Sequence, residues 1–184
     1  MACSSSEIPV IETERLRLRG FRMEDYPAVA AYKADPEVMR FVGGAEGGLL
    51  AWKSFCSMTG SWNVLGYGLF CVAIRETDEC IGHCGPINPP GWPEPEIGYT
   101  LARAAQGKGY AAEAAAAALR FAYERLGWTT AISIIDPDNH PSQKVAHKLG
   151  ASREQENVPV WDFTADIWRH RPPEEFLTSN PTTH

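Results

Sequence analysis

The chain lacks any apolar run approaching the roughly 20 residues that a membrane-spanning helix requires. It also lacks a basic excess: 17 Lys and Arg stand against 23 Asp and Glu, for a formal net charge of −6. A net acidic surface repels polyphosphate, so neither a nucleic-acid platform nor a membrane-surface binder is expected, although a local basic pocket stays open. Cysteine is sparse and irregular, at positions 3, 56, 71, 80 and 84. An odd, unevenly spaced set makes no disulfide framework and suits reduced thiols. Residues 1–7 have neither the basic nor the apolar region of a signal peptide, and a cytoplasmic location is expected. No repeat or linker divides the chain. With 184 residues, 44% hydrophobic and 22% charged, it holds enough apolar material for one core. The expectation is a single domain over residues 8–170, with flexible tails at 1–7 and 171–184.

Hydrophobic period gives the elements. Residues 12–19 (ETERLRLR) alternate, with Leu16 and Leu18 on one face and arginines on the other, and predict a first strand. Residues 23–35 predict a helix that tolerates Pro27 in its first turn, followed by a short turn at 37–41 and a second helix at 48–58. Residues 66–75 and 79–88 predict a hairpin, and residues 94–101 another strand. Then the order changes. Residues 109–126 (GYAAEAAAAALRFAYERL) form the strongest helical pattern in the chain, its alanines small enough to lie close on a sheet. A strand at 129–135, a helix at 141–149 closed by Gly150, and a last strand at 158–169, with 151–155 as its partner, complete the reading. Hairpins followed by one β-α-β crossover imply a mixed α/β sheet with helices on both faces.

The most informative stretch is the passage from the strand at 94–101 through Gln106-Gly107-Lys108-Gly109-Tyr110-Ala111 into the long helix. A helix start leaves about four N–H groups without partners, and with the macrodipole they favour an anion. Gly107 and Gly109 allow close backbone approach, and Lys108 adds a cation. The loop does not fit Gly-x-x-x-x-Gly-Lys-[Ser/Thr]. It does fit a dinucleotide pattern as Gly107, Gly109 and Ala112, with Asp136 at the next strand end, which keeps a nicotinamide-dependent oxidoreductase open as an alternative. Five residues between strand and first glycine, and hairpins in the first half, weigh against it.

Gln106-x-x-Gly109-x-Ala111 resembles the Gln/Arg-x-x-Gly-x-Gly/Ala motif of the GNAT superfamily of N-acetyltransferases. Ile81-Gly82, Glu96-Ile97-Gly98-Tyr99, Glu113, Asn139-x-x-Ser142 and Lys148-Leu149-Gly150 fall in that family's order, with a pattern similar to the RimJ/RimL-like branch. The resemblance implies the acyl-CoA N-acyltransferase fold: a mostly antiparallel sheet with one splayed parallel pair, here the strands at 94–101 and 129–135. It implies acetyl-CoA as co-substrate, no metal, a primary-amine acceptor and a monomer or homodimer. By the same resemblance, the amides of Gln106, Gly107, Lys108, Gly109, Tyr110 and Ala111 cradle the pyrophosphate. Tyr99, Thr100 and Leu101 pair with the pantetheine arm, and Asn139 contacts it. As a bare sequence feature, Asn139 reads equally well as a helix cap before Pro141.

An amine with pKa near 10.4 is neutral about once in 10³ at pH 7, so a proton acceptor matters. Glu96 is the candidate base, with a solvated strand-face charge as its plain alternative and Asp162 and Glu156 behind it. The family's usual tyrosine acid, seven residues after the Asn, is Ala146 here. Ser142 matches the serine proposed to replace it, and reads otherwise as a cofactor contact or a first-turn hydroxyl. This departure keeps a non-catalytic acyl-CoA sensor open. Cys80-x-x-His83-Cys84 suggests a metal, but on a regular strand Cys80 and Cys84 share a face that His83 leaves, and structural thiols are expected. Trp62, Tyr67, Trp92 and Trp161 are candidates for an acceptor pocket or for core packing.

Overall fold

The structure, a computed structural model, describes residues 8–179; the segments 1–7 and 180–184, expected as tails, lie outside the described residues. Eight strands form one sheet: β1 (Ile11–Glu12), β2 (Leu16–Arg19), β3 (Phe70–Ile74), β4 (Cys80–Ile87), β5 (Glu96–Leu101), β6 (Ile132–Ile135), β7 (Ser152–Val160) and β8 (Phe163–Arg169). Their order is β1-β2-β3-β4-β5-β6-β8-β7. Every neighbouring pair is antiparallel except β5 and β6. One parallel pair is what a single crossover yields. It is not the pair of repeated β-α-β halves that a dinucleotide fold needs.

Helices cover both faces. On one, α4 (Tyr110–Arg125) lays Ala114, Ala115, Ala118 and Ala122 fully buried against Leu16, Leu18, Phe70, Val72 and Ile97. The small side chains let helix and sheet backbones approach, as the alanine run predicts. On the other, α1 (Tyr26–Ala34), α2 (Pro36–Met39) and α3 (Leu49–Leu65) bury Val29, Tyr32, Met39 and Phe55 over Cys71 and Ala73. The alternation of β3 assigns Phe70 and Val72 to one core and Cys71 and Ala73 to the other. α5 (His140–Lys148) follows β6.

Several expectations are corrected. The strand expected at 12–19 is two strands, because Thr13 Oγ1 accepts the Leu16 amide (3.0 Å) and the Thr13 amide bonds Leu16 O (2.9 Å), turning the chain. Arg19 leaves the solvent face: it is buried, its guanidinium on both Asp25 oxygens at 2.7 and 2.8 Å. α3 runs through Gly60 and ends only at Gly66, whose φ of +77° suits a left-handed cap. Residues 158–160 belong to β7, since the chain turns at Trp161-Asp162 between paired Val160 and Phe163. A helix, α6 (Pro173–Ser179), stands within the segment expected as a flexible tail; Phe176 is fully buried, edge-on to Tyr123. Pro173 opens that helix at a position where a missing N–H costs little.

β4 also departs from regular alternation. Val72 faces Gly82 while Ala73 faces Cys80, so Ile81 is an extra residue, a bulge. The bulge separates Cys80, in the core under α1–α3, from Cys84, in the core under α4. His83 returns to the α1 side, where Tyr32 Oη meets its Nδ1 at 2.9 Å. The regular-strand expectation for these three residues is thereby reversed. Gly82 is required by close approach, since a Cβ there would stand 2.2 Å from Thr100 O.

Candidate active site

β5 and β6 meet at a single register pair, Glu96 with Ile132, and then diverge. Beyond it, side chains take the place of the ladder. The Ile134 amide donates to Glu96 Oε1 (3.1 Å), and Ser133 Oγ lies 3.0 Å from Ile97 O and 3.0 Å from His170 Nε2. The Ser133 hydroxyl has one proton, and the carbonyl can only accept it. His170 therefore donates from Nε2, and burial, which lowers its pKa to about 4, keeps the ring neutral near pH 7.

The wedge-shaped gap opens into a cavity of about 570 Å³ whose walls include Glu96, Gly98, Thr100, Ile134, His83 and Asp162. Period two puts Glu96, Gly98 and Thr100 on one face of β5, and pairing brings His83 alongside Thr100. Glu96 is no solvated charge. It is 6% exposed, with Trp92 Nε1 donating to its Oε2 at 2.8 Å. Burial pushes its carboxyl up to about 7, against the two hydrogen bonds that pull it down. A carboxylate poised near neutrality is what proton removal from an amine at neutral pH asks for.

A second cavity, about 500 Å³, adjoins the first; Phe41, Val42, Tyr99, Thr100, Asn139 and Ser142 border both. Its far end is the start of α4. Gly107 and Gly109 have φ of +75° and +85°, turning the loop so that successive amides face outward. Among the described residues, the amides of Gly107, Lys108, Gly109, Tyr110, Ala111 and Ala112 take no hydrogen-bond acceptor; the first helical bond is Glu113 N to Gly109 O. A Cβ added at Gly107 would meet nothing within 4 Å, and one at Gly109 would meet Arg15 Nη2 at 3.4 Å, so the loop is open at Gly107 and bordered by Arg15 at Gly109. Lys144 and Lys148 of α5 line the same cavity. Open glycines, unpaired amides and lysines fit a diphosphate, and the diverging strands fit the narrow arm leading from it.

The expected residues divide by role. Gln106 turns its side chain inward, Nε2 on Leu101 O at 2.9 Å, closing the loop onto the end of β5. Lys108 is exposed and does not line the cavity. Tyr99 donates from its hydroxyl to Ser142 O (3.1 Å), and Asn139 Oδ1 accepts the Ser142 amide (3.2 Å), so Asn139 is the cap of α5 and borders the cleft as well. The Ser142 hydroxyl has no partner among the described residues. Asp162 lines the first cavity, whereas Glu156 does not and pairs with Arg153 at 2.9 Å. Trp92 lines it and Trp161 packs on Trp92; Trp62 is core, and Tyr67 packs on Trp128. Asp25, Cys71 and Cys80 bring possible metal-ligand atoms within 4.8 Å of one another, but Arg19 occupies both carboxylate oxygens there.

Sequence reasoning missed Arg15. Its Nε and backbone amide bind Glu113 at 2.7 and 2.8 Å, Thr13 Oγ1 joins the same carboxylate at 2.6 Å, and Arg15 Nη1 reaches Lys108 O at 3.0 Å. The guanidinium also lies 4.7 Å from the Tyr110 ring centre. The β1–β2 turn thus ties down the glycine loop, a partnership across nearly a hundred residues of chain that no local pattern signals.

Residues 15–152 match the family model described as the acetyltransferase (GNAT) domain. The Bacillus subtilis protein named uncharacterized N-acetyltransferase YnaD is 34% identical over 146 residues, 78% of this chain and 83% of that protein. The chain belongs to the GNAT acetyltransferase family. Among solved structures, the acetyltransferase from Agrobacterium tumefaciens str. C58 superposes on this GNAT protein with a TM-score of 0.82 at 36% identity, covering 90% of this chain and 95% of that one. Mycobacterium smegmatis RimJ, solved in complex with CoA-disulfide, shares the fold, with a TM-score of 0.69 at 19% identity over 96% of this chain and 95% of that one. The GNAT family uses acetyl-CoA. No helix among the described residues is long and apolar enough to cross a membrane.

Proposed function

We propose that this GNAT protein transfers the acetyl group of acetyl-CoA to a primary amine by direct attack in a ternary complex. The observation that carries the reading is the β5–β6 divergence, which has unpaired amides at its wide end and Glu96 at its apex. The loop amides of Gly107 to Ala111 hold the diphosphate, and Lys144 and Lys148 add positive charge. Backbone groups of Tyr99, Thr100 and Leu101 along the splayed edge of β5 receive the pantetheine arm, and a β5 N–H steadies the thioester oxygen as it gains charge. The amine nitrogen attacks the carbonyl carbon, the C–S bond breaks, and the departing thiolate takes a proton, with Ser142 the nearby hydroxyl. Glu96 receives the proton that the amine gives up. Holding both reactants in one cleft offsets up to about 7–11 kcal/mol of the barrier. The acceptor class spans peptide N-termini, amino acids and small amines; the order of the motifs supports reading the chain as a RimJ/RimL-like member, acting as a cytoplasmic monomer or homodimer.

The test follows thiol release from acetyl-CoA across an amine panel, alongside thermal shifts with CoA and NAD(H). Release of CoA with at least one amine, and stabilisation by CoA alone, support the proposal. Stabilisation by NAD(H) alone overturns it, and CoA binding without thiol release leaves a sensor in its place.

A further inference from the structure

We propose that Trp92, Trp161, Phe163 and Asp162 form an aromatic, acidic corner at the mouth of the cleft, selecting amines that carry a second positive charge. The distal ammonium or guanidinium sits in this corner while the reacting amine faces Glu96. The inference rests on the reading of that cavity as the acceptor site, and it narrows the acceptor to small dicationic amines.

The corner is built from two loops. Trp92 belongs to the proline-rich segment before β5, and Trp161 and Asp162 are the two turn residues of the β7–β8 hairpin. The two indoles meet edge to face with centroids 4.7 Å apart, and Phe163 lies 6.2 Å from Trp92. Trp161 is 63% exposed and Phe163 43%, so these rings present apolar faces to solvent instead of filling a core. Asp162, between them in sequence, lines the cavity together with Trp92 and Phe163, while Trp161 packs behind on Trp92; Asp162 has no hydrogen bond or ion pair among the described residues. An unpaired carboxylate on the same wall as electron-rich rings suits an organic cation. Trp92 also reaches the apex through its bond to Glu96, so one side chain borders both the corner and the base.

The wall opposite the corner has the opposite sign, while Asp136 adds a carboxylate at the end of β6. Lys33 and Arg40 line the wall supplied by the α1–α2 side, the first near Glu46 at 3.7 Å and the second over the Phe41 ring at 5.0 Å. His83 between the walls is neutral, its pKa lowered to about 3 by burial and then by Lys33. A second cation on the acceptor therefore finds attraction at the hairpin and repulsion opposite, which fixes its orientation. Trp161 also holds a φ of +49° at the first position of a two-residue turn, where glycine is the usual choice. An aromatic side chain is kept there against local preference.

The test compares n-butylamine with 1,4-diaminobutane, which share a four-carbon chain and differ by one terminal ammonium. The parent should favour the diamine in kcat/KM by roughly five- to thirtyfold. Asp162→Asn should bring the ratio close to one, while Glu124→Gln, which removes a distant carboxylate, should keep it. Trp161→Gly should also collapse the ratio without lowering Tm, because glycine accepts the turn's backbone freely. A ratio of one in the parent, or a preference that survives Asp162→Asn, overturns the proposal. So does a neutral-side-chain dipeptide that outruns the diamine. Calorimetric titration separates the two readings. If no amine releases thiol, yet diaminobutane binds and Asp162→Asn abolishes binding, the corner stands and acetyl transfer falls; if the diamine does not bind the parent, the corner falls.

Discussion

The amide of Ile134 donates to the Glu96 carboxylate over 3.1 Å, where a continuous parallel ladder would offer it a main-chain carbonyl of β5. One side chain thus satisfies the backbone at the point where the sheet splits, and its second oxygen is held by Trp92. The split needs Glu96 for structure, and the proposed chemistry needs it for its proton affinity. These demands pull against each other, because burying a carboxylate favours its neutral form.

Substituting Glu96 by Gln separates them. Turnover should fall by about 10²–10⁴-fold at neutral pH, with the affinity for acetyl-CoA changed little, as expected on removing a general base. Stability moves the other way. The folded-state pKa is raised from 4.5 to about 7, so the stabilisation from the buried neutral carboxyl is complete below pH 4.5 and is lost as pH rises through about 7. The Gln variant has no such loss. Its stability relative to the parent should climb between pH 5 and 8 by on the order of 1–3 kcal/mol in all, seen as a growing Tm difference. Parallel Tm curves would show that Glu96 is charged throughout.

Trp92→Phe tests the same carboxylate without removing it. The indole N–H favours the charged form, so its loss should move the midpoint of the kcat/KM rise upward from about 7, by roughly half a unit to one unit. Phenylalanine keeps most of the apolar contact, so a loss of rate with no shift in midpoint would assign Trp92 to packing alone.

Much of the glycine-loop half of the cleft was legible because its determinants are local. Gly107, Gly109 and the alanine run of α4 are contiguous, and the helix start and its empty amides follow from short-range rules. Glu96 was legible as a carboxylate on the right strand, but its burial was not, since that depends on Trp92, on Ile134 and on where β6 parts from β5. The corner was beyond reach for the same reason: Trp92 and Trp161 meet only when the hairpin folds over the proline-rich loop. The β4 bulge at Ile81 shows the limit of period-two reasoning, because one inserted residue moved Cys80 off the face expected for Cys84 and onto that of His83. Arg19 and Arg15, read as surface charges on an alternating strand, proved to be one buried and one loop-binding, each through a distant acid.

Arg15→Ala should disturb the glycine loop more than the fold. The Arg15–Glu113 pair is partly exposed, with the arginine side chain 44% accessible, so its loss should lower stability by at most about 1 kcal/mol, a few degrees in Tm. The anchor on Lys108 O goes with it, and a looser loop binds an anion with less preorganisation. KM for acetyl-CoA should rise roughly three- to tenfold with kcat nearly constant. A fall in kcat at unchanged KM would place the effect elsewhere in the cleft.

Ser142→Ala addresses the other proton. Both bonds that fix residue 142 use its backbone, the amide to Asn139 Oδ1 and the carbonyl from Tyr99 Oη, so alanine should leave Tm within about 1 °C. The hydroxyl itself is free to meet the leaving sulfur. A thiol of pKa near 8.5 needs a proton most at neutral pH and least where the thiolate is already stable in water. If Ser142 supplies that proton, kcat of the alanine variant should be about three- to tenfold below the parent at pH 7, and the deficit should narrow by pH 9. A deficit of the same size at both pH values would assign the hydroxyl to cofactor contact, because binding to the arm has no reason to track the ionisation of the departing thiol.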